Sequence, residues 1–174
     1  MRGSRTVQCL TNCLAVTAIN ASAIGGGTVL MDQIGPIDGS NVDTLTTPYA
    51  SQIFETVFAI YDIAAIDDFV SGPPSTILSA EAVISGWNGY SNFDGVQGME
   101  LSIWDSIASA GKNLQGNVLH QVYDSSEITL DPAWGGNSPS VLAEVQGNET
   151  LQLESGTFYF ALIPINEFGL NGQS

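Results

Sequence analysis

The stretch Thr157-Phe158-Tyr159-Phe160-Ala161-Leu162-Ile163 decides the fold class of this chain. Aromatic and aliphatic residues dominate it, and these are residues that pack well on a pleated, buried surface. Ser155-Gly156, directly before it, is typical of a turn that enters a strand. We therefore expect a central strand that is buried on at least one face.

Shorter runs of the same kind precede this strand and are separated by turns rich in Gly, Pro, Asn and Asp. No stretch keeps a helical period for three turns. The predicted strands are 56–60, 68–70, 76–85, 99–104, 117–123, 127–130, 140–145, 150–153 and 157–164. Alternation of apolar and polar residues at 101–104 and 127–130 suits strands with one wet face. The pattern predicts an all-β, antiparallel two-sheet β-sandwich that is jelly-roll-like.

The first residues of the chain have the order of an export signal. Arg2 and Arg5 precede a mostly apolar stretch at 7–19, and Ala21-Ser22-Ala23 follows as a small-x-small cleavage pattern. This order predicts a signal peptide at 1–23, cleavage after Ala23, and a secreted or cell-surface protein. An ordinary N-terminal strand or helix is the alternative. The apolar stretch is too short for a stable membrane span, which needs about 20 apolar residues.

The rest of the chain divides into a lead-in and one domain. Residues 24–48 carry Gly25-Gly26-Gly27 and Gly35-Pro36, which are typical of a loose linker, and the sandwich domain is expected at 49–174. Both cysteines, Cys9 and Cys13, lie within the predicted signal peptide. The mature chain is then free of cysteine, which excludes thiolate catalysis and cysteine-ligated zinc from it.

The charge of the chain limits its partners. The formal net charge is −15, from 18 acidic residues against three basic ones, and two of the basic ones are Arg2 and Arg5. A field of this sign repels nucleic acid, so nucleic-acid binding is not expected. With 12% charged and 44% hydrophobic residues, the composition is that of a folded domain, which needs no cofactor to be stable.

Three segments together resemble a known group of proteins. They are 61–69 (YDIAAIDDF), 83–89 (VISGWNG) and 153–160 (LESGTFYF). They are similar to the uncharacterised secreted β-sandwich domains of planctomycetes and other environmental bacteria, many of which end in a PEP-CTERM sorting tail. That resemblance spans about residues 50–165 and implies a further Trp-containing strand after the Gly156-Thr157 strand. The sequence stops at Ser174 instead: either it is a fragment that lacks the final strand, or this version of the domain lacks it. A missing strand would expose an unpaired edge.

Asp62, Asp67 and Asp68 form an acidic cluster beside a predicted strand. Carboxylates and backbone carbonyls are the ligands that Ca²⁺ takes, so one interpretation is a calcium site. The other is an acidic pair that solvates the entry to the strand. The sequence leaves both open.

Aromatic residues in two Gly- and Asn-rich segments form a candidate ligand site. Trp87, Tyr90 and Trp134 would stack on a sugar ring, and Asn88 would bind its hydroxyl groups. Burial of these rings as caps of the core is the alternative.

Evidence for catalysis is thin. His120 is the only histidine, has no neighbouring Ser or Asp motif, and fits an ordinary strand face. We therefore expect a non-catalytic, extracellular binding or surface-associated module, Ca²⁺-stabilised and glycan-binding, whose partner is a polysaccharide or a surface protein. The alternatives are a structural protein that self-associates edge to edge in a matrix or filament and, third, a polysaccharide hydrolase.

Overall fold

A computed structural model describes residues 17–23, 26–32, 50–72, 74–85, 96–131, 140–146 and 152–169 of the protein. Short strands joined by turns make up most of these residues. In chain order the strands are β1 (Thr17–Ala23), β2 (Gly26–Asp32), β3 (Asp67–Ser71), β4 (Ser75–Ser85), β5 (Val96–Trp104), β6 (Leu119–Asp124), β7 (Thr129–Asp131), β8 (Ser140–Gln146), β9 (Gln152–Leu153) and β10 (Gly156–Asn166). The helical elements are a 3₁₀ helix (Thr56–Tyr61), a single-turn helix α1 (Ile107–Ala110) and a 3₁₀ turn (Ser125–Glu127).

The strands form two antiparallel sheets. One sheet has the order β2-β1-β4-β8-β7, and β9 also pairs with β4. The other has the order β3-β10-β5-β6. The chain crosses repeatedly between the sheets, for example from β3 to β4 and from β9 to β10. The predicted all-β, two-sheet sandwich is confirmed.

The main core lies between the two sheets. Ile77, Ala80 and Ala82 of β4 face Met99, Leu101 and Ile103 of β5, and all six side chains are fully buried. Phe160 and Leu162 of β10 fill the same layer. Residues Thr157–Ile163 therefore belong to a central, buried strand as expected, and β10 pairs with β3 on one side and β5 on the other.

The outer face of the second sheet is also covered, which corrects the prediction of a wet face for 101–104. Ser102 and Trp104 point away from the main core and are nevertheless fully buried. Trp104 packs with Ala161 and Ile163 of β10 under a cover that includes Ile53, Ala64 and Ile66. The chain before β3 supplies this cover.

The first two strands lie near the N-terminus and belong to the first sheet. Strand β1 holds the Ala21-Ser22-Ala23 pattern and lies between β2 and β4. Strand β2 lies within the segment predicted as a loose lead-in. Cleavage after Ala23 would remove β1 and leave the β1 side of β4 unpaired.

One predicted strand is wrong. Residues 56–60 were expected to form a strand, but Thr56–Tyr61 is a 3₁₀ helix. In such a helix the side chains at positions i and i+3 are aligned. Phe58 and Tyr61 therefore lie on the same side of the helix, and both stack on Phe168. In a strand, two residues three positions apart would point to opposite faces.

The last described strand is not an edge. Strand β10 is paired on both sides, whereas β3 and β6 are the outer strands of its sheet. The final strand that the resemblance implies has no counterpart in the described residues. The outer strands of the other sheet are β2 and β7.

Candidate functional site

An aromatic cluster joins the 3₁₀ helix to the chain end of β10. The ring of Phe168 is stacked on Phe58, with a centroid separation of 4.0 Å and an interplanar angle of 7°. Tyr61 is stacked on the same ring at 5.4 Å, and Phe54 meets it edge to face at 5.2 Å. Aromatic pairs in these geometries contribute about 0.5–1.5 kcal/mol each beyond their burial.

The loop that carries this helix is tied at its base. Gln52 and Ile63 exchange two backbone hydrogen bonds of 2.7 and 3.0 Å. Ile53 binds β10 through its N–H to Pro164 O and through its carbonyl to Asn166 N. The 3₁₀ helix is therefore the tip of a closed loop that is docked on the sandwich.

The outward side of the helix is apolar and exposed. Val57 and Ile60 are 81% and 84% exposed to solvent, and Tyr61 is 48% exposed. Val57 and Ile60 are also three residues apart, so the 3₁₀ period aligns them. We call Val57, Ile60 and Tyr61 the apolar ridge. Single exposed aliphatic residues are common on protein surfaces, whereas contiguous apolar patches are typical of contact sites.

Three acidic residues adjoin the 3₁₀ helix or Phe168 in the sequence. Glu55 directly precedes the helix and accepts a hydrogen bond from Phe168 N at 3.1 Å. Asp62 directly follows the helix and accepts one from Phe54 N at 2.9 Å. Glu167 precedes Phe168 and accepts one from the Gln97 side chain at 3.3 Å.

The structure places the predicted metal ligands in two different settings. Asp62 ends the 3₁₀ helix, whereas Asp67 and Asp68 open β3. Successive residues of a strand point to opposite faces, so the side chains of Asp67 and Asp68 diverge. Asp67 also accepts a hydrogen bond from the backbone N–H of Asp68. Within the described residues, no group of three or more His, Cys, Asp or Glu side chains is arranged to hold a metal.

The predicted sugar-binding residues fall in other parts of the chain. Trp87, Asn88, Tyr90 and Trp134 lie outside the described residues. The glycan platform at these positions stays a prediction.

A buried polar group lies on the outer face of the second sheet. Glu100 is buried; its Oε2 lies 3.1 Å from His120 Nε2, and its Oε1 accepts a hydrogen bond from Ser102 Oγ at 3.0 Å. Ser102 Oγ in turn accepts one from Gly116 N. In a serine hydrolase the imidazole lies between the hydroxyl and the carboxylate. Here the carboxylate lies between them, so the imidazole cannot take the serine proton directly.

Glu100 and Phe168 are functional candidates that the sequence pattern does not reveal. Glu100 lies just before the alternating residues 101–104, and nothing in the sequence around it marks it as part of a site. Phe168 was not singled out because it follows β10 in a segment without a pattern. A visible signal did exist in the paired i, i+3 spacing of Val57 with Ile60 and of Phe58 with Tyr61.

Tyr123 gives a pH-dependent test of the packing between the sheets. Its hydroxyl donates a hydrogen bond to Gln146 O, across the sandwich. Burial, and then the charge of Glu127, raise the pKa of Tyr123 from its ordinary value near 10 to about 12. The neutral phenol is therefore favoured in the folded protein.

We expect this phenol to add stability below pH 10 and to lose that contribution as the pH rises through 12. The loss should be roughly 1–2 kcal/mol, because each unit of pKa shift is about 1.4 kcal/mol before screening by solvent. Urea unfolding of wild type and Tyr123→Phe between pH 9 and 12 measures it. Parallel stability curves for the two proteins would contradict the assignment.

Comparisons with other proteins give no identity. No family model, no curated protein and no solved structure matches the chain. In the part of the chain that the structure describes, no helix has the length and apolar character needed to cross a membrane. The ridge and its carboxylates therefore stand as a site defined by geometry alone.

Proposed function

We propose that the protein is a secreted, non-catalytic binding or surface-associated module, and that the apolar ridge is its contact surface. The observation that carries the proposal is the exposure of Val57 and Ile60 on a helix held by the Phe168 stack. Burying one such side chain in a complex contributes about 1.5–3 kcal/mol. Because the loop is already tied to β10, little ordering is needed on binding.

The test compares a ridge variant with a matched control. Wild type, the double variant Val57→Ser/Ile60→Ser and the control Val122→Ser are applied to arrays of polysaccharides and peptides. Val122 is an exposed valine on β6, a different element, so its replacement makes the same chemical change at another place. We expect ligands of wild type to be retained by the control and lost by the ridge variant.

Two results would contradict the proposal. Binding that is unchanged in Val57→Ser/Ile60→Ser would show that the ridge is not the contact surface. Release of sugars from a bound polysaccharide would contradict the non-catalytic assignment and favour a hydrolase. Folding of every variant is checked by circular dichroism, so that loss of binding is not confused with loss of structure.

The proposal also includes glycan binding and stabilisation by Ca²⁺, and each of these is tested separately. Trp87→Ala and Trp134→Ala variants test whether polysaccharide binding depends on the predicted platform.

A thermal melt in millimolar Ca²⁺ and in EDTA tests calcium binding, because a ligand that binds the native state raises the midpoint of unfolding. The calcium proposal predicts a rise that Asp67→Asn and Asp68→Asn abolish. Equal midpoints of unfolding in Ca²⁺ and in EDTA would contradict the calcium proposal.

Edge-to-edge assembly remains the second candidate because outer strands carry exposed aliphatic residues. Val70 on β3, Val122 on β6 and Leu130 on β7 are all exposed. An unprotected edge strand is a template for pairing with another chain, although Asp67 and Asp68 on β3 oppose this by their charge. Light scattering over a wide concentration range tests this candidate. A molar mass that rises with protein concentration favours assembly, and a constant monomer mass contradicts it.

Export is the remaining part of the proposal. The intact mass of the protein recovered from the medium of an expressing bacterium tests it. A mass that begins at Ile24 supports the signal peptide. A retained N-terminus, with β1 in the sheet, would contradict cleavage after Ala23.

A further inference from the structure

We infer that two copies of this chain pair through β6, side by side and antiparallel, about a two-fold axis at Gln121. Among the described residues, β6 is an outer strand that pairs only with β5. The inference rests on the second candidate function, edge-to-edge assembly, and is independent of the ridge and its ligands. A two-fold contact uses the same strand in both copies, so it closes at a dimer and builds no filament.

The backbone of β6 presents hydrogen-bonding groups away from β5 at alternate residues. The carbonyl of Tyr123 points at a glycine of β5, which has no Cβ to block it. The N–H of Asp124 is donated instead to Glu127 Oε2, at 3.0 Å. Peptide groups of successive strand residues point to opposite sides, so those of His120 and Val122 point away from β5. These groups are a template for an added strand.

Gln121 sets the register of the added strand. It lies directly opposite Leu101, a core residue of β5, so its side chain points between the sheets. Its Oε1 is buried and has no hydrogen-bond partner in the part of the chain that the structure describes. A buried acceptor without a donor is unfavourable. The side-chain amide of a second Gln121 supplies the donor, and its own Oε1 accepts in return.

This register also matches the backbone groups that β6 presents. The N–H of His120 donates to the carbonyl of Val122 in the second copy, the N–H of Val122 donates to the carbonyl of His120, and the axis repeats both bonds. The two Gln121 residues lie between these bonds, where opposed side chains of an antiparallel pair are closest. The N–H of Asp124, which Glu127 already binds, lies outside the paired residues.

A core-facing side chain is exposed on the same side of the sandwich. The 3₁₀ turn Ser125–Glu127 connects β6 to β7, the outer strand of the other sheet, so both outer strands lie on one side. Leu130 of β7 is opposite Ala143, a core residue, and therefore faces inward, yet it is 41% exposed. A second sandwich joined at β6 covers this open side.

Like charges interfere less at β6 than at β3, the other edge of its sheet. Asp67 and Asp68 open β3, whereas the acidic residue of β6 is Asp124, at the end of the strand. Each copy still carries a formal charge of −15, which opposes association at long range. Because salt screens this repulsion, we expect pairing to become tighter as the salt concentration rises.

Sedimentation equilibrium of the full chain, over a range of concentrations in low and high salt, tests the pairing. We expect the molar mass to rise from that of a monomer to that of a dimer and no further. Val122→Pro removes an N–H that points away from β5, and proline is tolerated on an edge strand. We expect this variant to raise the dimer dissociation constant at least about tenfold.

Val70→Pro is the matched control for Val122→Pro. Val70 is an exposed valine on β3, another outer strand. The N–H of Asp68 donates to the side chain of Asp67, so the N–H of Val70, two residues later, also points away from the neighbouring strand. We expect Val70→Pro to dimerise as wild type does. Circular dichroism checks the folding of both variants.

A disulfide tests the register without proline. In a Cys9→Ser/Cys13→Ser background, Gln121→Cys places two thiols opposite each other across the axis, where an antiparallel pair brings its Cα atoms within the range of a disulfide. We expect mild oxidation to give a covalent dimer from Gln121→Cys and none from Val70→Cys. A dimer in solution that does not form this disulfide would have its axis elsewhere and would overturn the inference. If Val122→Pro does not fold, the disulfide decides.

The outcomes separate the inference from the candidate function that it rests on. A constant monomer mass in both salts overturns the inference and edge-to-edge assembly together, and leaves the ridge proposal standing. Growth beyond a dimer, or dimerisation that is unchanged in Val122→Pro, overturns the inference and leaves assembly through other edges. Weaker association in high salt would show a contact made by attraction between charges and would also overturn the inference.

Discussion

Replacing Gly116 by alanine should lower the free energy of unfolding by about 3 kcal/mol or more. A Cβ built at this position overlaps the carbonyl oxygen of Leu119 and the backbone N and O of Ile103. The obstacles are backbone atoms of β5 and β6, so no side chain can rotate away to make room. The loop must move, and two hydrogen bonds would be disturbed with it: Gly116 N to Ser102 Oγ and Val118 N to Ile103 O.

Gly111→Ala is the matched control for that substitution. Gly111 follows α1 in a right-handed helical conformation, with φ of −67° and ψ of −9°, which alanine adopts freely. The nearest atom to a Cβ there is Ile107 O at 3.5 Å, an ordinary contact. We expect Gly111→Ala to be neutral or to stabilise by up to about 1 kcal/mol. Urea unfolding followed by far-ultraviolet circular dichroism measures both variants, and equal stabilities would contradict the close approach at Gly116.

Local patterns explain why the strands could be predicted. Eight of the nine predicted segments overlap an observed strand, because each is bounded by turn residues that act within a few positions. The exception, residues 56–60, has a β-branched and aromatic composition that favours a strand locally. This segment contacts Phe168, which lies more than a hundred residues later in the sequence, and that tertiary contact decides the conformation of the segment.

The covered face of β5 shows a second limit. An alternating pattern predicts which residues share a face, but it cannot show whether another part of the chain covers that face. Ser102, which the pattern at 101–104 places on a wet face, is buried and accepts a hydrogen bond from Gly116 N in the loop that precedes β6. Its neighbour Glu100 is buried beside His120 and accepts a hydrogen bond from Ser102. The candidate site has the same origin, since its carboxylates and rings come together through contacts distant in sequence.

Trp104 joins the covered face to the loop that follows α1. Its side chain is fully buried at the end of β5 and packs against Ala110, Ala161 and Ile163. The indole Nε1–H points to two carbonyl oxygens, Asn113 O at 3.1 Å and Gln115 O at 3.2 Å. One side chain therefore supplies both apolar packing and a donor to the loop that leads to Gly116.

We expect Trp104→Ala to destabilise the protein by about 3–5 kcal/mol, the range for removing a large buried aromatic side chain. Trp104→Phe keeps much of the buried ring but removes the donor, so it should cost about 1–3 kcal/mol through the carbonyl groups left without it. Urea unfolding of both variants separates the two contributions. If Trp104→Phe were as stable as wild type, the hydrogen bonds to Asn113 and Gln115 would contribute nothing, and packing alone would fix the loop.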